Sequence, residues 1–70
     1  MTWISIKDWL PQQQVYVLIY DGYGEYHVAF WENKKHSANS EDTYVHWSTR
    51  HGEVVWPTAW TLLPEYFNTD

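Results

Sequence analysis

Histidines, carboxylates and serines are the side chains in this sequence that could do chemistry, and their spacing limits what kind. The four histidines are His27, His36, His46 and His51. Zinc sites of the helical kind place two histidines three to five residues apart beside further ligands. His46 and His51 have that spacing, but across an expected turn, and the chain has no cysteine to complete a set. His27 approaches His46 only if their strands are neighbours. Solvated or hydrogen-bonded histidines, with no metal and no other cofactor, are the expectation. Among the carboxylates, Glu41 and Asp42 are adjacent in a polar stretch, and Asp21 and Glu25 flank a turn. General acid–base work needs two carboxylates facing each other across a cleft with separated pKa values, and 70 residues leave little room for one. Ser5, Ser37, Ser40 and Ser48 lack the strand–turn–helix context of an activated nucleophile. Gly22-Tyr23-Gly24 suits a turn, not a phosphate cradle. The chain is not expected to be an enzyme.

Aromatic side chains are the more informative group: six Trp, six Tyr and two Phe. A chain this short buries only about 60% of its unfolded surface, so a core is hard to build. Small domains often add disulfides or a metal, and the absence of cysteine removes disulfides and thiolate zinc sites. Large rings, each burying on the order of 150–250 Å², are the substitute. Tyr16, Tyr20, Tyr23, Tyr26 and Tyr44 cannot all be interior. Exposed Tyr and Trp are enriched at protein interfaces, so these five, with Trp31, Glu41 and Asp42, form the candidate partner-binding set. An alternative set of Tyr20, Tyr26, Trp31 and Tyr44 would serve as a platform for a carbohydrate or a short peptide.

Nine acids against four bases give a net charge of −5. Phosphate binding relies on Lys and Arg, and Lys7, Lys34, Lys35 and Arg50 are dispersed along the chain, so direct nucleic-acid binding is not expected. The N-terminal residues lack the apolar run of a signal peptide. No apolar stretch approaches the roughly 20 residues that span a bilayer. The expectation is one domain over residues 1–70, cytoplasmic and off the membrane, with another protein or a second copy of itself as partner.

The elements that must position these groups centre on Val15 to Trp31. Val15, Val17 and Ile19 share one face of a strand, with Tyr16, Leu18 and Tyr20 on the other. Both faces are apolar, which predicts a central strand. Asp21-Gly22-Tyr23-Gly24 supplies the reversal. On the return, Tyr26, Val28 and Phe30 alternate with His27, Ala29 and Trp31. Trp3-Ile4 reads as an edge strand. Ser5 followed by Asp8 predicts one helical turn over Ile6 to Leu10, stopped at Pro11. Gln12 to Gln14 form a polar connector. Glu32 to Asp42 reads as an exposed, mobile loop. A second hairpin is predicted from Tyr44 to Ser48 and Glu53 to Trp56, around Thr49-Arg50-His51-Gly52. That register sets Trp47 against Val54 and Val45 against Trp56, on the core face. Ala59 to Leu63 forms a last strand ended by Pro64, with Tyr66 to Asp70 a loose tail. The fold class is all-β with one short helical turn: a small curved antiparallel sheet, or a partly open SH3-like barrel, of four to five strands.

Two anchors carry a family resemblance. Trp3-Ile4-Ser5-Ile6-Lys7-Asp8, then Leu10-Pro11, resembles the opening of domain of unknown function 551. The strand from Val15 to Asp21 and the segment His27-Val28-Ala29-Phe30-Trp31 match the family's next elements. Thr58-Ala59-Trp60-Thr61-Leu62-Leu63-Pro64-Glu65 is similar to its ending. The resemblance covers both ends and the central hairpin, not Glu32 to Val55. Ala59 stands where the family usually has histidine, so any chemistry of that histidine is lost here, and His46-Trp47 is not followed by Leu-Pro-Glu. The resemblance supplies no reaction. It implies a bacteriophage or prophage setting, and with it an accessory protein that binds a host or phage protein. The most concrete form is an inhibitor of a host defence system such as CRISPR or restriction.

Overall fold

Period-2 alternation needs one face of a strand to be dry, and the central hairpin shows which face that is. In the computed structural model, which describes residues 2–63, Val17, Ile19 and Ala29 are fully buried. They lie on β2 (Val17–Tyr20) and β3 (Tyr26–Lys35), which pair with Val17 opposite Ala29 and Ile19 opposite His27. The turn between them follows from glycine. Gly22 (φ 85°) and Gly24 (φ 93°) occupy left-handed backbone, which costs side-chain-bearing residues steric strain. Asp21 closes the turn by accepting the N–H of Tyr23 at 2.7 Å and that of Glu25 at 3.2 Å.

The remaining strands are β1 (Ile4–Ser5), β4 (Thr43–Thr49) and β5 (Ala59–Thr61). All five form one antiparallel sheet in the order β1-β5-β2-β3-β4. The first and last strands pair, and β5 also inserts beside β2. The sheet stays open, with β1 and β4 as its edges. β2 is central, as its two apolar faces require.

Tryptophans complete the dry face. Trp31, Trp47 and Trp60 are buried on β3, β4 and β5, with Trp31 directly opposite Trp47 and Trp60 opposite Ile19. A strap of backbone, residues 6–14, covers them. The indole N–H of Trp31 donates to the Pro11 carbonyl at 2.6 Å, and that of Trp60 to the Trp9 carbonyl at 2.9 Å. Gln14 N–H donates to the Trp31 carbonyl, and Asn33 N–H to the Gln13 side-chain oxygen. Buried indoles need acceptors, and the strap supplies them from chain positions that no local pattern links.

That role corrects the helical turn expected over Ile6 to Leu10. Ser5 does start a turn: its hydroxyl accepts the Lys7 N–H and its carbonyl accepts those of Asp8 and Trp9. The turn covers Ile6–Asp8 and goes no further. Beyond the turn the Trp9 carbonyl accepts the Trp60 indole N–H. Among the described residues no helix forms, and none is long and apolar enough to cross a membrane.

Two further expectations change. Glu32–Lys35 is not loop: β3 continues to Lys35, paired with Thr43–His46, and only residues 36–42 are irregular and mostly exposed. The second hairpin is slipped by one residue. Thr49 N–H donates to the Glu53 carbonyl, Ser48 bridges Val54, and Val55 N–H donates to the Trp47 carbonyl. Val55 therefore packs on the core, while Val54 and Trp56 are exposed. The cause is a loop of three residues, Arg50 to Gly52, in place of four; Gly52 provides its positive φ of 87°. Pro64 and the segment from Tyr66 to Asp70 lie outside the described residues.

Candidate functional site

The dry face uses every second residue, so the others are carried to the outer face of the sheet. At one end Trp3, Tyr20 of β2 and Tyr26 of β3 form a ring group. Centroids are 5.1 Å apart for Tyr20–Tyr26, 5.7 Å for Trp3–Tyr26 and 6.5 Å for Trp3–Tyr20. The pairing of Tyr20 with Tyr26 and of Ser5 with Ala59 brings these rings together from three separate stretches of chain. Tyr26 remains 60% exposed and Trp3 39%. In the middle, Tyr16 meets Phe30 edge-on at 5.1 Å, and the Arg50 guanidinium sits 5.6 Å above the Tyr16 ring. At the far end Tyr44 lies between His36 and His46.

Of the eight residues expected to bind a partner, Tyr20 and Tyr26 share one patch, Tyr16 the next and Tyr44 the last. Tyr23 stands apart on the turn, 90% exposed. Glu41 and Asp42 are exposed in the loop leading into β4. Trp31 is a correction: it is buried, 9% exposed, and held to Pro11. It shares the dry face with Ala29, because both lie an even number of residues from the fully buried contact with Val17. The alternative carbohydrate set thereby loses Trp31, and Tyr44 sits at the opposite end from Tyr20 and Tyr26. Trp3, which joins the ring group, is not in the candidate set; its spacing of two residues from Ser5, which places both on one face, is the available signal.

Among the described residues, one group of ligating atoms is close enough to hold an ion. Asp21, Glu25 and His27 each place an oxygen or nitrogen within 4.8 Å of the others. His27 Nε2 lies 3.5 Å from Glu25 Oε1 and 3.8 Å from Asp21 Oδ2. Turn closure accounts for the grouping, since Asp21 Oδ1 already accepts two backbone N–H groups. His27 and His46 are on neighbouring strands but opposite faces, so they do not meet.

The Tyr23 N–H bond holds Asp21 below its ordinary pKa of 3.8, against partial desolvation and with help from the Glu25 N–H and the charge of His27. The folded value lies below the unfolded one. Ionised Asp21 thus adds stability that is fully present above 3.8 and is lost as pH falls through the lower folded value. Asp21→Asn keeps an acceptor for the turn and removes the titration. Its thermal midpoint should fall less than the wild type's between about pH 5 and pH 2, as read by circular dichroism. Equal acid slopes would show that Asp21 does not contribute.

Compared with known families, residues 2–65 match "Protein of unknown function (DUF551)". The chain belongs to this family. The family match takes in Glu32 to Val55, the stretch that the resemblance of short motifs did not reach. No curated protein and no solved structure matched the chain. Within the matched stretch Trp60 and Leu63 are buried, and the Pro11 carbonyl accepts the Trp31 indole N–H. Ala59 pairs with Ser5 and Tyr20 beside the ring group.

Proposed function

We propose that this protein acts by binding another protein, with the Trp3–Tyr20–Tyr26 group at the centre of the contact. The clustering of the exposed Trp3 and Tyr26 rings with half-buried Tyr20 is the observation that carries the reading. Each Å² of apolar surface taken from water is worth about 25 cal/mol, and Tyr and Trp are the residues that most often dominate interface energetics. The rings tilt against one another by 42° to 67°, a shape that suits interlocking side chains better than a flat sugar face. The partner surface is basic, to complement a chain of net charge −5.

In its finer form the protein is an accessory of a phage or prophage, working in the bacterial cytoplasm as an inhibitor of a host defence system such as a CRISPR effector or a restriction enzyme. Its acids would occupy a basic channel that otherwise holds nucleic-acid phosphates. The family membership and the acidic balance support this form. The test is plaque formation on a defended host, with effector DNA binding measured beside it. Wild-type protein should raise plaque counts and block DNA binding. Trp3→Ala with Tyr26→Ala should weaken the block by about a hundredfold, as loss of two interface anchors implies. Unchanged plaque counts and unchanged DNA binding would sink the finer form.

A further inference from the structure

The outer edge of β4 is only half used. Thr49 N–H donates to the Glu53 carbonyl at 2.9 Å and Val55 N–H to the Trp47 carbonyl at 3.2 Å, both on the side away from β3. In an antiparallel ladder such groups alternate, so Val45 and Thr43 also aim their N–H and C=O outward. Continued in the same register, the Glu53–Val55 segment would set Pro57 opposite Val45. Proline has no N–H to give to the Val45 carbonyl. Pro57 is buried, and the chain leaves for β5. Among the described residues, the backbone groups of Val45 and Thr43 and the N–H of Trp47 have no partner.

A groove of about 460 Å³ lies along this open half, lined by Ile6, Leu10, Val45, Trp47, Trp56 and Pro57. Trp56 on its rim is 76% exposed. Exposed edges are commonly blunted by lysine, proline or a bulge, but Thr43 to Trp47 carries no charge and no proline. Glu41 and Asp42 precede it and are exposed.

We propose that the open half of β4 takes up an extended, basic segment of a partner protein by strand addition. Backbone N–H and C=O groups of the segment complete those of Thr43 and Val45. Paired antiparallel, the residue opposite Val45 points into the groove and is apolar. Lysine or arginine three or four residues later falls beside Asp42 and Glu41. A second copy of this chain is disfavoured as occupant, since pairing would bring together two bodies of charge −5 and two Glu41–Asp42 pairs. The proposal rests on the reading of the protein as a protein binder but uses a surface separate from the ring group.

The test titrates ¹⁵N-labelled protein with a blocked heptapeptide that alternates valine and threonine and ends in two lysines. A matched peptide with a central proline is the control. Amide signals of Thr43 and Val45 should shift, and their hydrogen exchange should slow by about tenfold or more. The proline peptide should do neither. Val45→Pro removes only an outward donor, which an edge strand tolerates, and should abolish the shifts. Trp56→Ala should weaken binding by about tenfold and keeps the test decisive if Val45→Pro does not fold. Protein carrying Trp3→Ala and Tyr26→Ala should bind the peptide as wild type does, so failure at the edge and failure at the ring group are told apart. Shifts confined to other strands, equal binding of the proline peptide, or protection of these amides already in the free monomer would overturn the proposal. A concentration-dependent dimer that protects them without peptide would overturn it in favour of a second copy.

Discussion

Trp31→Ala should leave the chain largely unfolded in dilute buffer, whereas Trp56→Ala should melt close to the wild type. The difference follows from where the two rings stand. Trp31 is buried on β3 opposite Trp47 and ties the strap through the Pro11 carbonyl, while Trp56 is mostly exposed. Truncating a buried tryptophan costs about 3–5 kcal/mol in cavity and lost transfer energy. Domain stabilities run at about 5–15 kcal/mol, and a chain this short sits at the low end. The Pro11 carbonyl also loses its donor. Trp31→Phe separates the two contributions, keeping most of the ring and losing the N–H, and should cost about 1–2 kcal/mol for the bond alone plus the smaller ring. Urea unfolding followed by circular dichroism reads all three. A wild-type midpoint for Trp31→Ala would mean that the strap does not rest on the tryptophan layer.

Gly22→Ala should destabilise by about 2–3 kcal/mol, and Gly24→Ala by only about 1–2 kcal/mol. Both glycines have positive φ, so both substitutions carry backbone strain. They differ in what a new Cβ meets. At Gly24 there is nothing within 4 Å; at Gly22 the Thr58 methyl would stand 3.0 Å away. Thr58 cannot yield freely, because its N–H and its hydroxyl both donate to the Tyr20 carbonyl, at 2.8 and 3.2 Å. These bonds dock the approach to β5 against β2. Turning the methyl aside would break the hydroxyl bond. Thr58→Ser removes the methyl and keeps the hydroxyl, so in that background the penalty of Gly22→Ala should shrink by about 1 kcal/mol. The four proteins form a double-mutant cycle readable by thermal or urea melts. Independent, additive effects would rule out the contact.

The parts of the fold legible in the sequence are those where one pattern had one solution. Val15 to Trp31 could only be a hairpin, and its two apolar faces placed β2 in the middle of the sheet. The pattern did not say which face was dry, because Tyr16, Leu18 and Tyr20 are as bulky as their neighbours. Trp31 was assigned to the surface for that reason, and the burial of Val17 against Ala29 decides otherwise. Val54 and Val55 are adjacent and chemically alike, so alternation could not set the second hairpin's register; loop length did. Glu32 to Lys35 has no apolar residue to show a period of two, and it is strand only because Thr43 to His46 pairs with it. The indole-to-carbonyl ties join residues 20 and 51 positions apart. No local spacing marks them. The ring group suffered likewise: Tyr20 and Tyr26 were visible as neighbours across a turn, but Trp3 reaches them only through β5.

The Trp3–Tyr20–Tyr26 face is the proposed docking site for a protein partner. The most direct measurement is co-purification of tagged wild-type protein and the Trp3→Ala, Tyr26→Ala variant from the same bacterial cells, with bound proteins identified by mass spectrometry. A stoichiometric partner is expected on the wild type and should be lost from a variant whose melting temperature matches the wild type's. Recovery of the same partner in equal amount on the folded variant, or a wild-type preparation that carries no partner, would contradict the proposed docking.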